Sequence, residues 1–169
     1  MGFCGIARVQ FTDEIDLTFM KVKIYKLESS DAEKFSRLVD AYEDAFEMEK
    51  FEKPSAEYYE QMLSKESVIV FAAEKNNEII GGLTAHILYS NYSEAAEVYI
   101  YDLAVKTEFQ RQGIGTKLMT AIKEYCEEIN VSEVFLQADK IDEHAVKFYN
   151  KIGGRPEDEI IHFSFPINK

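Results

Sequence analysis

Between Val98 and Ile129 the apolar residues change their spacing, and that change restricts what this chain can fold into. The run Val98-Tyr99-Ile100-Tyr101 and Leu103-Ala104-Val105 is rich in β-branched and aromatic residues and predicts a strand, interrupted by the acidic Asp102. From Ile114 the apolar positions fall at Leu118, Ile122, Tyr125 and Ile129, the spacing of one helix face. The switch takes place across a polar loop that carries Gly113 and Gly115 where the helix opens. The first N–H groups of such a helix have no partner within it and converge on one spot. The helix dipole makes that spot favourable for an anion, and glycine lets the backbone approach a phosphate closely. Arg111 adds an ionic contact there.

The rest of the chain reads as one α/β domain over 20–169, with no internal repeat or linker. Residues 1–19 show no regular pattern and are read as a poorly ordered N-terminal extension. Met20, Val22 and Ile24 alternate with lysines and predict a first strand. Ser30-Asp31-Ala32-Glu33 spells a capping box before a helix whose apolar face is Phe35, Leu38, Val39, Tyr42 and Phe46. A second helix follows the break at Pro54, over about Ser55 to Leu63. Val68 to Glu74 and Glu78 to Leu88 predict a hairpin closed by Asn76-Asn77, with Gly81-Gly82 marking a bend or bulge. Further on come a strand at Val134–Leu136, a helix from Glu143 to Ile152 ended by Gly153-Gly154, and a last strand from Ile160 to Phe165.

Charge narrows the partners. The chain has 19 Lys plus Arg against 31 Asp plus Glu, a net charge of −12. That argues against a phosphate-backbone surface for nucleic acid and against an anionic membrane surface, and it favours a cationic ligand. No apolar run approaches the roughly 20 residues that span a bilayer. Two cysteines, Cys4 and Cys126, make no disulfide or zinc framework, and a reducing cytoplasm fits. No metal-ligand constellation is present in the pattern.

Which anion the loop takes follows from its spelling. The P-loop's Gly-Lys-Ser/Thr is absent, and Leu118 occupies the third glycine position of a dinucleotide fingerprint. What remains is Gln-x-x-Gly-x-Gly at Gln110, Gly113 and Gly115. This resembles the pyrophosphate signature of the GNAT N-acetyltransferases. A second stretch, Ala145 to Gly154, resembles the family's later helix, which ends in a tyrosine followed by Lys-x-Gly. Over Glu97 to Phe165 the chain is similar to aminoglycoside 3-N-acetyltransferases of the gentamicin type, in Glu97 to Val105, Gln137-Ala138-Asp139 and Ile161-His162-Phe163. The resemblance implies a mixed central sheet of about six to seven strands flanked by about four helices, acetyl-coenzyme A as donor, and a homodimer. It implies a donor site formed by Leu103, Ala104 and Val105 on the strand, by Gln110, Arg111, Gln112, Gly113, Ile114, Gly115 and Thr116 at the helix start, and by Tyr149. Many members carry an asparagine seven residues before that tyrosine; here the position is Asp142.

Acyl transfer to nitrogen requires a neutral amine. An amine of pKa ~10.4 is free base about once in 2,500 molecules at pH 7, at a cost of about 4.6 kcal/mol. Asp102, a carboxylate in an apolar strand, is the candidate proton acceptor, since an interior carboxylate is costly unless paired or functional. His162 and water are alternatives, with His86 and His144 behind them. The resemblance makes Tyr149 the general acid and the backbone N–H groups of Leu103 to Val105 the oxyanion donors. Tyr101, Asp102, Asp139, Glu143 and His162 are candidates for holding a small polycationic amine acceptor such as an aminoglycoside. Other amines (a polyamine, an amino acid derivative, a protein amine) and a non-catalytic coenzyme A sensor are the alternatives.

Overall fold

The computed structural model describes residues 21–49, 51–157 and 159–167. The expected N-terminal extension therefore lies outside the described residues. A five-stranded sheet runs in the order β1 (Lys23–Lys26), β2 (Val68–Lys75), β3 (Glu78–Leu88), β4 (Ala96–Val105) and β5 (Val131–Leu136). The first four strands are antiparallel to their neighbours, and β5 lies parallel to β4. A parallel neighbour requires a crossover, which helix α3 (Ile114–Glu128) provides.

Each face of the sheet carries one core. Helices α1 (Ala32–Ala45) and α2 (Ala56–Leu63) bury Phe35, Leu38, Tyr42 and Tyr59 against Val70, Ile79 and Ala104. Helix α3 buries Leu118 and Ile122 against Ile69, Leu83, Val98 and Ile100 on the other face. Helix α4 (Glu143–Lys151) stands at the start of α3, where its Phe148 would lie 3.1 Å from a Cβ placed on Gly115.

The hairpin between β2 and β3 turns on Asn76 and Asn77, at φ 52° and 63°, the left-handed pair that matches strand twist. The expected irregularity at the glycine pair is present. Ile80 has no Cα partner on β2, and a Cβ on Gly82 would run into the Phe71 carbonyl oxygen and lie 2.7 Å from Leu38 Cδ1, so only glycine fits here.

Two expectations are corrected. The reciprocal cap before α1 does not join Ser30 and Glu33; the Glu28 N–H donates to the Asp31 carboxylate at 3.0 Å, around a 3-10 turn at Ser29–Asp31. Among the described residues no strand forms over 160–165, so the sheet has five strands rather than six to seven. Ile160, Ile161, Phe163 and Phe165 are 68 to 82% exposed there. Alternating apolar residues define a face, but a strand also needs a neighbour to receive its backbone hydrogen bonds, and among the described residues β5 pairs only with β4.

Candidate functional site

The site starts from one extra residue in β4. Thr84 of β3 pairs with Asp102 while Ala85 pairs with Ile100, which leaves Tyr101 as a bulge. A single insertion exchanges the two faces of a strand. Before the bulge Val98 and Ile100 point into the α3 core; after it Val105 does so, and Ala104 points into the α1 core. Asp102 shares its parity with Ala104 and so faces α1. In an unbulged strand it would follow Val98 and Ile100 into the α3 core, a far harsher place for a carboxylate.

The bulge also marks where β4 and β5 part. Their pairing ends at Ile100 and Leu136, so among the described residues the edge of β4 from Tyr101 to Val105 has no strand partner on the β5 side. A cleft of about 280 Å³ opens there, lined by Ile100, Tyr101, Asp102 and Leu103 of β4, by Leu136 to Asp139 after β5, by Asp142, Ala145 and Tyr149 around α4, and by Phe46 after α1. Asp102 and Tyr149 are thus brought to one cavity from opposite walls.

Their titration is shaped by burial. Burial raises the Asp102 carboxyl from 3.8 to about 6, and among the described residues no cation offsets it. Burial, and then the charge of Asp142, hold the Tyr149 phenol above its ordinary value, so it keeps its proton at neutral pH. On the core side of Asp102 lies a buried hydroxyl pair, Tyr42 and Thr84, at 3.0 Å. Burial, and more weakly the charge of Asp102, raise the Tyr42 phenol, while its bond to Thr84 acts the other way.

The other wall is the start of α3. Gly113 adopts φ +80°, and nothing lies within 4 Å of the place a Cβ would take, so the backbone there is left-handed and open. No side chain caps this helix and its first turn holds no acid, whereas α1, α2 and α4 begin with Glu33, Glu57 and Glu143. The first-turn N–H groups of Ile114, Gly115 and Thr116 are consequently left for an external anion. The Gln110 side chain donates to the Val105 carbonyl at 3.0 Å and ties loop to strand. Gln112 donates to the Glu108 carbonyl at 3.3 Å, and Arg111, exposed at φ 62°, is the positive charge of the loop. These residues fit a phosphate-bearing donor through backbone rather than side chains: Ala104, Val105 and Ile114 all bury theirs in the cores.

The acceptor candidates divide. Tyr101, Asp102 and Asp139 line the cleft. Asp142 also lines it, but its Oδ1 caps α4 by accepting from the His144 and Ala145 N–H groups, both at 3.0 Å. Glu143 is not brought in; its carboxylate pairs with Lys147 at 2.7 Å. His162 stands outside the cleft wall, with Nδ1 3.2 Å from Gln137 Nε2. Cys126 is buried in the α3 core and its thiol is pushed up to about 11, which removes it as a nucleophile. Sequence reasoning missed Phe46, Ile100 and Leu136 as lining residues, since their apolar character signals only core.

The sequence pattern of the acetyltransferase (GNAT) family matches residues 35–154. The chain belongs to that family. It is therefore an acetyl-transfer enzyme, and the fold expectation holds in class. An aminoglycoside acetyltransferase, meta-AAC0020, from an uncultured soil metagenomic sample has been solved with trehalose and with sisomicin. The chain is 42% identical to the former, at a TM-score of 0.84, covering 92% of this chain and 100% of that one. A second metagenomic aminoglycoside acetyltransferase, HMB0005, is 33% identical at a TM-score of 0.82, covering 88% and 100%. The uncharacterized N-acetyltransferase YhfO of Bacillus subtilis (strain 168) is 21% identical over 146 residues, 86% of this chain and 98% of its own length. Among the described residues no helix is long and apolar enough to cross a membrane, and no group of His, Cys, Asp and Glu gathers to hold a metal.

Proposed function

We propose that this GNAT enzyme moves an acetyl group from acetyl-coenzyme A to a primary amine of a small polycationic acceptor of the aminoglycoside class. The observation that carries the reading is Asp102: a carboxylate raised to about 6, facing a cleft where the neighbouring strands part. Similarity to meta-AAC0020, which has been solved with sisomicin, supports the acceptor class.

Acetyl-coenzyme A, when bound, supplies the acetyl thioester. The open start of α3, from Gln110 to Thr116, would hold its pyrophosphate, and Leu103 and Val105 offer backbone N–H groups along the open edge of β4, while the Ala104 peptide turns to β3 on the same side as the Lys106 N–H, which donates to the Ile80 carbonyl at 2.9 Å. Asp102 first holds the acceptor's ammonium and then takes its proton on a carboxylate oxygen. For an amine of pKa ~8, transfer to an ordinary carboxyl near 3.8 is uphill by about 4.2 pKa units, or about 5.7 kcal/mol. Transfer to one near 6 is uphill by about 2 units, or about 2.7 kcal/mol, so burial supplies roughly 3 kcal/mol. Tyr149 keeps its proton at Oη and would supply it to the thiolate released as the amine nitrogen bonds the acetyl carbon and the C–S bond breaks, and the second proton lost from that nitrogen would restore the phenol. Asp139, and the free valence of Asp142, hold the acceptor's other ammonium groups.

Release of coenzyme A across a panel of aminoglycosides, polyamines and lysine-bearing peptides tests the reading. Turnover confined to aminoglycosides is the expected result; faster turnover of a linear polyamine or a peptide would replace the acceptor.

A further inference from the structure

Tyr101 belongs to a row of rings, His86, Tyr101, Tyr99 and Phe135, that the mechanism does not use. It is 66% exposed, and its ring lies 6.1 Å from His86 of β3 and 6.1 Å from Tyr99, edge-on to both. Tyr99 lies 5.3 Å from Phe135 of β5. The four rings cross three strands on the face that carries α1, beyond the stretch where Leu38 meets Gly82 and Tyr42 meets Thr84. The row joins the cleft at its two middle rings. Tyr101 lines it directly, and the Tyr99 hydroxyl donates to Oε1 of Gln137, another lining residue, at 3.4 Å.

Two residues back along each strand, about 7 Å away, the same face shows Glu97 and Glu133, register partners across β4 and β5. Like charges placed opposite one another are destabilising in the free protein and are relieved by a cation. The face thus offers rings bounded by carboxylates, with Asp102 at one end and the glutamate pair at the other. An aromatic row attracts C–H groups and ammonium groups alike, while the carboxylates select for charge.

We propose that His86, Tyr101, Tyr99 and Phe135 form a second part of the acceptor site, which stacks on a saturated, hydroxylated ring carrying ammonium groups, remote from the amine that is acetylated. The inference rests on the reading that the cleft takes a polycationic amine. It makes these rings determinants of specificity for cyclic over linear polycations, through affinity rather than rate.

The test compares wild type with Tyr101→Ala and His86→Ala, using sisomicin as the cyclic and spermidine as the linear polycation. Calorimetric titration of the coenzyme A-saturated protein gives Kd, and steady-state release of coenzyme A gives KM and kcat. Tyr101→Ala should weaken sisomicin about tenfold in Kd and KM, several-fold more than it weakens spermidine, and the larger change should fall on KM rather than kcat. His86→Ala should weaken sisomicin in the same direction, so a folding defect in one variant leaves the other informative. Sisomicin affinity unchanged in both variants, or lost in parallel with spermidine, overturns the ring site, as does a wild type that does not bind sisomicin. A wild type that binds sisomicin without acetylating it, and loses that binding in Tyr101→Ala, sustains the ring site and sinks the acceptor reading above.

Discussion

Replacing Asp102 by Asn should cost activity and add stability, and both changes can be sized. Burial raises the carboxyl from 3.8 to about 6. Holding it ionised at neutral pH therefore costs the folded state at most about 3 kcal/mol, and about 1–2 kcal/mol once solvent screening of this partly exposed group is allowed for. In a domain of this size 1 kcal/mol moves Tm by about 2–4 °C, so Asp102→Asn should melt about 2–8 °C higher at pH 8. The folded-state pKa lies above the unfolded one, so the folded protein keeps a proton that the unfolded chain gives up between about pH 4 and 6. Wild-type stability consequently falls, relative to the variant, as pH rises through that window. The gap should be about one third of its full size at pH 4.5 and complete by pH 7.5. Activity moves the other way. Loss of a general base removes about 10²- to 10⁴-fold from kcat/KM, and the wild-type rise of kcat/KM through pH ~6 should vanish. Thermal unfolding at pH 4.5 and 8, together with a pH profile of coenzyme A release, measures both. A variant that melts at the wild-type temperature at pH 8 and keeps the acidic limb would refute the reasoning.

Three more perturbations have definite outcomes. Tyr149→Phe removes only a hydroxyl, so turnover should fall about 10²-fold while coenzyme A affinity by calorimetry stays within about twofold; an unchanged rate would remove Tyr149 from the acid role. Gly113→Glu puts a carboxylate at the open start of α3 in a left-handed backbone, which should abolish coenzyme A binding at a folding cost of about 1 kcal/mol; retained binding would show that the anion site lies elsewhere. Tyr42→Phe leaves the Thr84 hydroxyl buried without its partner and should cost about 1–3 kcal/mol in urea unfolding. Adding Thr84→Val should recover part of that loss, whereas strictly additive losses would mean the pair is not coupled.

The amino-acid sequence by itself determined most of the elements and the open, glycine-bearing start of α3. Hydrophobic periods of two and 3.6 are local properties, and so are the turn chemistry of Asn76-Asn77 and the glycines of the Gln110–Gly115 loop. The sequence pattern places the N-terminal cap two residues late, because Glu28, Ser30 and Asp31 all have capping chemistry and only backbone geometry chooses between them. The apolar alternation of 160–165 is equally plain in the sequence, but a strand is a relation between two segments. Tertiary structure alone decided the site. Nothing in Val98-Tyr99-Ile100-Tyr101-Asp102 says that Tyr101 is skipped in the pairing with β3, yet that skip turns Asp102 from the α3 core to the cleft. The same bulge sits where β5 leaves β4, which opens the cavity, and it sets Tyr101 against His86 and Tyr99 from two strands. Register is a long-range choice made by packing on both faces of the sheet at once, and so it becomes visible only when the strands are assembled.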